Sequence, residues 1–248
     1  MSLKIVIFSG MNAIVFGASS GIGRELAIRL SQDGYKVKIT GRREELLKEL
    51  CLEFPQLSYH AFDIQDLSSV ENNFADMVRD FGTIDLIVHC AGVGYENPEL
   101  IWEMESDTIA TNVCSATKIY DLSFLLFKRQ GFGHLVGISS IASIRGNRHS
   151  PAYFASKAFQ VNYLESLYLK TKEIASSKVH VTDIRPGFVD TRMALGDDIF
   201  WMSPLNKAVG QIYRAIKCKR RRVYISKRWT LIAWVLKIVP SWLIKKIM

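Results

Sequence analysis

The chain has 248 residues, 48% of them hydrophobic, so it is long enough to bury a full core and too apolar for disorder. Its four cysteines are scattered without a CxxC pair, and its five histidines show no metal-ligand spacing, which argues against a zinc site or a disulfide framework. The net charge of +8 is uneven, because residues 199–248 hold 12 Lys/Arg and no acid. This basic end indicates an anionic surface as a neighbour.

Short β-branched runs alternate with helix-length segments along the chain. Strands are predicted at 12–17, 35–40, 57–62, 84–92, 134–139, 178–184 and 222–226, and helices at 22–34, 43–54, 67–82, 98–129, 152–176 and 204–217. Repeated β-α-β units predict a single doubly wound parallel sheet of Rossmann type with helices on both faces, because the crossovers are right-handed. Ligands of such sheets bind beyond the carboxyl ends of the strands.

A glycine-rich loop, "GASSGIG" at 17–23, follows the first predicted strand and opens the first predicted helix. Gly17, Gly21 and Gly23 allow a tight turn, close approach of the backbone to a pyrophosphate, and close helix–sheet packing. The helix N-terminus then offers free N–H groups to phosphates. An ordinary βα turn is the alternative, but the strand–turn–helix context favours a dinucleotide site.

The end of the second predicted strand, "ITGRR", distinguishes NADP from NAD. An acid there would accept hydrogen bonds from the ribose 2′-hydroxyl of NAD, whereas this chain has Arg42 and Arg43, whose forked side chains match phosphate geometry. Arg24 could assist. The pattern favours NADP, with NAD the less favoured cofactor; the alternative is that these arginines are solvated surface charges.

"SPAYFASKAF" at 150–159 places Tyr153 and Lys157 one helical turn apart. Alone, this pair could be a solvated helix face. With other motifs in order, however, the chain resembles the short-chain dehydrogenase/reductase family over residues 12–226. The matching pieces are "GASSGIG" (17–23), "FDI" (62–64), "HCAG" (89–92), Asn112, "ISS" (138–140), "YFASK" (153–157) and "RPGFVDT" (185–191).

The resemblance implies a catalytic set of Tyr153 as general acid/base, Lys157 as its helper, Ser140 as the substrate-positioning hydroxyl and Asn112 as the fourth member. It also implies a cofactor site, which we assign, with the two arginines, to Gly17, Ser19, Ser20, Gly21, Ile22, Gly23, Arg42, Arg43, Asp63, Ile64, Ala91, Gly92, Tyr153, Lys157, Pro186, Gly187, Val189 and Thr191. No metal ligand is expected.

The chemistry of these residues agrees with the implied roles. A tyrosine has an ordinary pKa of about 10, and a fixed cation nearby lowers it. Lys157 can provide that cation and can also bond a ribose hydroxyl, while Ser140 can donate to a developing alkoxide. Asn112 could anchor a water that connects Lys157 to solvent.

Two positions depart from the family pattern. Phe16 replaces the usual threonine before the first glycine, and His89-Cys90 replaces the usual Asn-Asn pair. We expect His89 to be structural. The predicted substrate loop, 188–206, carries Phe188, Trp201 and other apolar residues, which favours an apolar substrate, although such a loop could equally pack on the body or on a second subunit.

The two ends are predicted to lie outside the core of 11–226. Residues 1–10 are expected to be an extension or artefact, and residues 227–248 to form an amphipathic helical tail broken or kinked at Pro240. Two hypotheses for the tail stay open. Its apolar face packs on the domain or on a second subunit, or it lies in the interface of an anionic membrane.

The sequence thus predicts an NADP(H)-dependent oxidoreductase that interconverts a carbonyl and an alcohol on a small, apolar substrate. The alternatives are a dinucleotide-binding sensor or scaffold without turnover, and a membrane-surface protein that acts through its basic tail. We expect a homo-oligomer, dimer or tetramer, with no nucleic-acid partner, in the cytoplasm or peripheral at the inner face of a membrane.

Overall fold

The computed structural model describes residues 10–174, 178–191, 201–240 and 242–243. In this part of the chain, seven strands form one parallel sheet in the order β3-β2-β1-β4-β5-β6-β7. The strands are β1 (Asn12–Phe16), β2 (Lys36–Gly41), β3 (Leu57–Ala61), β4 (Leu86–His89), β5 (Phe132–Ile138), β6 (Lys178–Pro186) and β7 (Arg222–Ile225).

Eight α-helices are seen in the described residues. They are α1 (Gly21–Gln32), α2 (Glu44–Glu53), α3 (Leu67–Phe81), α4 (Trp102–Ile109), α5 (Ala116–Gln130), α6 (Pro151–Lys170), α7 (Leu205–Lys217) and α8 (Lys227–Ile238). A π-helical turn, Ala110–Ser115, joins α4 to α5, and 3₁₀ turns lie at Ile141–Ile144 and Thr171–Glu173.

Two hydrophobic cores cover the two faces of the sheet. Side chains of α1, α2 and α7 pack on one face and those of α3, α5 and α6 on the other. Within β1, Ala13 and Val15 join the first core, while Ile14 and Phe16 join the second. Both faces of a covered parallel strand are buried, which explains why β1 is apolar throughout. The predicted doubly wound parallel sheet is confirmed.

The strand order reverses between β1 and β4, so the segments that follow these strands diverge and leave a crevice at the carboxyl edge of the sheet. Strands β5 and β6 end at the same edge, so the segments that follow them also begin there. The predicted helix over 98–129 begins at Trp102 and contains the π-helical turn, whereas the predicted helix over 152–176 ends at Lys170.

The α8 helix follows β7 and therefore also starts at the carboxyl edge. It ends at Ile238, two residues before Pro240, because a proline disfavours helical backbone at the residue before it. Trp229 and Ala233 are buried, so this side of α8 packs on the domain. No described helix is both long and apolar enough to cross a bilayer.

The division of the chain into 1–10, 11–226 and 227–248 remains a prediction. Residues 1–9 lie outside the described residues, as do residues 192–200 of the predicted substrate loop. Phe188, Trp201 and Met202 of that loop are described, and all three are exposed.

Candidate active site

The glycine loop between β1 and α1 has no room for larger residues. Gly17 has φ +81°, and a Cβ atom there would lie 2.5 Å from the backbone nitrogen of Ala91. A Cβ atom on Gly23 would lie 2.2 Å from the carbonyl oxygen of Gly17. These contacts hold the loop close to the segment after β4, as the predicted dinucleotide motif requires.

The first turn of α1 presents its N–H groups outward. Ser20, the N-cap residue, makes no side-chain hydrogen bond to the helix in the described structure, and the first turn carries no acidic residue. Free N–H groups and the positive end of the helix dipole together suit an anionic ligand. The cradle formed by the glycines therefore fits a pyrophosphate.

The two arginines after β2 have different surroundings. The guanidinium of Arg43 donates to the hydroxyl of Ser19 at 2.7 Å and to that of Ser20 at 2.8 Å, so it lies across the glycine loop. Arg42 instead forms an ion pair with Asp63 at 3.6 Å and is half exposed. Arg43 is therefore the better placed of the two to meet an anionic group on this loop.

Tyr153, Ser140 and Lys157 meet at the carboxyl edge of β5. Tyr153 is partly buried in the first turn of α6, and its hydroxyl lies close enough to Ser140 for that side chain to influence its pKa. The Nζ atom of Lys157, one turn further along α6, lies 5.8 Å from the centre of the Tyr153 ring. The structure thus brings together the three residues that the sequence predicted to act together.

A buried hydrogen-bond network surrounds Lys157. Its Nζ atom donates to the carbonyl oxygen of Ile138 at 3.3 Å and to Oε1 of Gln160 at 3.1 Å. Nε2 of Gln160 donates to the carbonyl oxygen of Asn112 at 2.8 Å. The Gln160 amide therefore links Lys157 to the backbone of Asn112, while the water that Asn112 is expected to anchor stays a prediction.

Asn112 lies in the π-helical turn and clamps the segment that follows β4. Its Oδ1 atom accepts from the backbone nitrogen of Val93 at 2.9 Å, and its Nδ2 atom donates to the carbonyl oxygen of Val93 at 2.7 Å. The same Nδ2 atom donates to the hydroxyl of Ser156 at 3.0 Å. π-helical turns often occur at functional sites, where they redirect a side chain.

The pKa values of the pair are governed by burial. Burial lowers the pKa of Lys157 to about 8, although Cys90 and Asp183 oppose that change. Burial raises the pKa of Tyr153 above its ordinary value, and the nearby Ser140 hydroxyl opposes the rise. The direction of this shift is opposite to the lowering that Lys157 was expected to cause.

Two other predicted glycines border this cluster or the glycine loop. A Cβ atom on Gly92 would lie 3.1 Å from Oδ1 of Asn112 and 3.4 Å from Nζ of Lys157. A Cβ atom on Gly21 would lie 3.5 Å from Cγ2 of Thr191, so the segment after β6 reaches the glycine loop. Among the residues predicted to bind the cofactor, Ile64 and Val189 have buried side chains. Pro186, another of them, is the last residue of β6.

The two departures from the family pattern are structural. Phe16 is fully buried and stacks on Phe74 with ring centres 6.5 Å apart. His89 is also fully buried, and burial lowers its pKa to about 3, so its ring is neutral at ordinary pH. Neither ring nitrogen has a hydrogen-bond partner among the described residues.

Sequence reasoning missed three supports of the site. A Cβ atom on Gly94 would lie 2.7 Å from the Tyr153 ring, so only glycine lets this loop pack on the tyrosine. Asp183 in β6 accepts from the hydroxyl of Ser139, the residue before Ser140. Gln160 is the third; its one sequence signal is a polar residue one turn beyond Lys157 in α6.

No group of three or more His, Cys, Asp or Glu among the described residues could hold a metal ion. The doubly wound sheet and the Ser–Tyr–Lys cluster at its carboxyl edge define a Rossmann-type site. The family model for short chain dehydrogenase matches residues 11–198. The chain therefore belongs to the short-chain dehydrogenase family, whose members are oxidoreductases.

Relatives of the chain agree with this assignment. An uncharacterized oxidoreductase of Staphylococcus haemolyticus is 32% identical over 196 residues, which are 77% of this chain and 83% of that protein. A 3-ketoacyl-(acyl-carrier-protein) reductase from Brucella melitensis, solved with NADH, has the same fold with a TM-score of 0.78 and 18% identity. The structural match covers 97% of that protein's chain and 88% of this one. ElxO with NADP bound has a TM-score of 0.77 and 19% identity, over 96% of its chain and 87% of this one.

Proposed function

We propose that this protein is an NADP(H)-dependent oxidoreductase that interconverts a carbonyl and an alcohol, with Tyr153 as the general acid/base. The observation that carries the proposal is the grouping of Tyr153, Lys157 and Ser140 at one edge of the sheet, next to a glycine loop suited to a pyrophosphate. A pure dinucleotide sensor needs the loop but not the phenol, so the cluster favours turnover.

The chain's own residues account for the proton chemistry. A bound nicotinamide dinucleotide would supply or accept the hydride. In reduction, Ser140 donates a hydrogen bond to the carbonyl oxygen and Tyr153 gives that oxygen its proton. Burial keeps the Tyr153 hydroxyl protonated near neutral pH, as a proton donor must be. Lys157 holds its charge beside the phenol and stabilises the phenolate left behind.

The preference for NADP rests on Arg43. Its guanidinium already spans the hydroxyls of Ser19 and Ser20, so it would meet a phosphate on the adenosine ribose without reorganisation. Arg42 supports the same region but is partly neutralised by Asp63. The two residues directly after β2 are Arg42 and Arg43, where an acid would accept hydrogen bonds from a ribose 2′-hydroxyl.

The cofactor proposal is tested with two variants and a control. Arg43→Asp should lower the ratio of kcat/KM with NADPH to that with NADH by about 100-fold or more, and Arg42→Asp should lower it less. Arg79→Asp, an exposed site on α3, is the matched control and should leave the ratio unchanged. Equal use of NADPH and NADH by the unmodified protein would contradict the preference.

The substrate proposal is an apolar aldehyde or ketone. Phe188, Trp201 and Met202, which follow β6 in the chain, expose large apolar side chains. NADPH consumption should be measured against a panel of aliphatic and aromatic ketones, 3-ketoacyl thioesters and polar sugars. Turnover with the apolar compounds and none with the sugars is expected. Preference for the sugars would overturn the proposed substrate class but not the assignment of the protein as an oxidoreductase.

A further inference from the structure

The α8 helix has an outward face that is apolar. Leu231, Trp234, Val235 and Ile238 share one side of the helix at spacings of three and four residues, and all are exposed, Leu231 by 68% and Ile238 by 64%. The opposite side carries Trp229 and Ala233, which are buried against the domain. The helix is therefore apolar on both its inner and its outer faces.

Contacts at both ends fix the orientation of α8. At its start, Trp229 packs so closely on Gly187 that a Cβ atom there would lie 2.1 Å from Nε1 of the indole. At its end, the Arg145 guanidinium donates to the carbonyl oxygens of Leu236 at 2.7 Å and Val239 at 2.6 Å. A cation that binds the last carbonyls is a favourable helix cap. The outer face is thus held toward solvent at the carboxyl edge of the sheet.

Basic residues flank this face. Arg228 and Lys237 lie on its two sides, and residues 199–248 contain no acid. Three other basic residues of that segment pair elsewhere. Lys217 pairs with Asp33, while Arg221 and Arg222, at the start of β7 and so at the amino edge of the sheet, pair with Glu165. These three side chains therefore do not lie beside the outer face.

We propose that the outer face of α8 docks on the surface of a membrane that contains anionic lipids. A helix with apolar side chains, a tryptophan and flanking cations is suited to the boundary between headgroups and acyl chains. Its 12 residues, about 18 Å in length, are too short to cross a bilayer core of about 30 Å, so the helix lies in the interface.

A second copy of the chain fits this face less well. A symmetric contact would bring α8 against α8, and the flanking cations would then oppose one another without an acidic partner. The face is about 18 Å long and about 10 Å wide, or about 200 Å², whereas a stable interface needs about 800 Å² on each partner. A lipid surface needs neither a matching shape nor that area.

The test is co-sedimentation of the full chain with vesicles of pure phosphatidylcholine and of phosphatidylcholine with phosphatidylserine. The protein should bind the anionic vesicles at low salt and bind the neutral ones more weakly. The double variant Leu231→Gln/Ile238→Gln should weaken binding at least tenfold. The matched control, Leu52→Gln/Leu169→Gln, changes exposed leucines on α2 and α6 and should leave binding unchanged.

Two further measurements test the contribution of charge to vesicle binding and the possibility of self-association. Arg228→Gln and Lys237→Gln should each weaken binding to anionic vesicles about fivefold, with little effect on neutral ones. Light scattering gives the mass of each variant in solution. The proposal would be overturned if the protein did not bind anionic vesicles, or if the Leu52→Gln/Leu169→Gln control lost as much binding as the Leu231→Gln/Ile238→Gln variant. A lower mass in solution for the Leu231→Gln/Ile238→Gln variant would also overturn it, because a second copy would then cover the face.

Discussion

Replacement of Lys157 by methionine should stabilise the fold while it abolishes turnover. Lys157 is 4% exposed, and its charged form is disfavoured by burial, which lowers its pKa from 10.5 to about 8. At about 1.4 kcal/mol per pKa unit, keeping the charge inside the folded protein at pH 7 costs about 3 kcal/mol. Methionine fills a similar volume without that cost.

Part of this gain in stability is offset because two hydrogen bonds are lost. Methionine leaves the carbonyl oxygen of Ile138 and Oε1 of Gln160 without the Lys157 donor, at about 1 kcal/mol each. The expected net gain in the free energy of unfolding is therefore about 1 kcal/mol at pH 7. The gain should be constant below pH 8 and shrink as the pH rises from 8 toward 10.5, because the unfolded lysine then binds more protons than the folded one.

The assay is urea unfolding of both proteins at pH 7 and pH 9, without cofactor. A larger free energy of unfolding for Lys157→Met at pH 7, with a smaller difference at pH 9, is expected. A loss of 2 kcal/mol or more at pH 7 would refute the argument that the lysine is retained at a cost to stability.

Three further predictions concern the supports of the site and the ends of the chain. Gln160→Leu should lower the apparent pKa in the pH profile of kcat, because the Lys157 ammonium loses a hydrogen-bond acceptor. Gln160→Glu should raise the same apparent pKa, since a carboxylate stabilises that ammonium. If Gln160 had only a structural role, the two variants would shift this pKa in the same direction. Gly187→Ala should destabilise the fold by about 1–3 kcal/mol because its Cβ meets a tryptophan ring, whereas Gly146→Ala, with open space around it, should stay within about 0.5 kcal/mol in the same urea assay. A chain that starts at Met11 should fold and bind NADPH, and failure to refold would show that residues 1–10 are structural.

The sheet and its helices could be predicted because their signals are local. Apolar runs of strand length and helices of regular period recur along the chain, and the handedness rule leaves few ways to arrange them. The glycine loop and the Tyr153–Lys157 pair were also predictable, since the strand–turn–helix context and the helical turn fix their geometry before any tertiary contact is known.

Contacts between distant segments could not be predicted. The sequence did not distinguish Arg42 from Arg43, because both follow β2 and only the folded glycine loop selects Arg43. The link from Gln160 to Asn112 spans 48 residues, and the cap that Arg145 places on α8 spans more than 90. The tail's inner and outer faces have the same apolar composition, so only packing on the domain shows which one is exposed.

The measurement that tests the central claim most directly compares Tyr153→Phe with the unmodified protein for both turnover and NADPH binding. The phenol acts on the substrate and not on the dinucleotide, so kcat should fall at least 1000-fold while the Kd for NADPH changes less than about threefold. Retention of most of the activity by Tyr153→Phe would contradict the assignment of Tyr153 as the general acid/base.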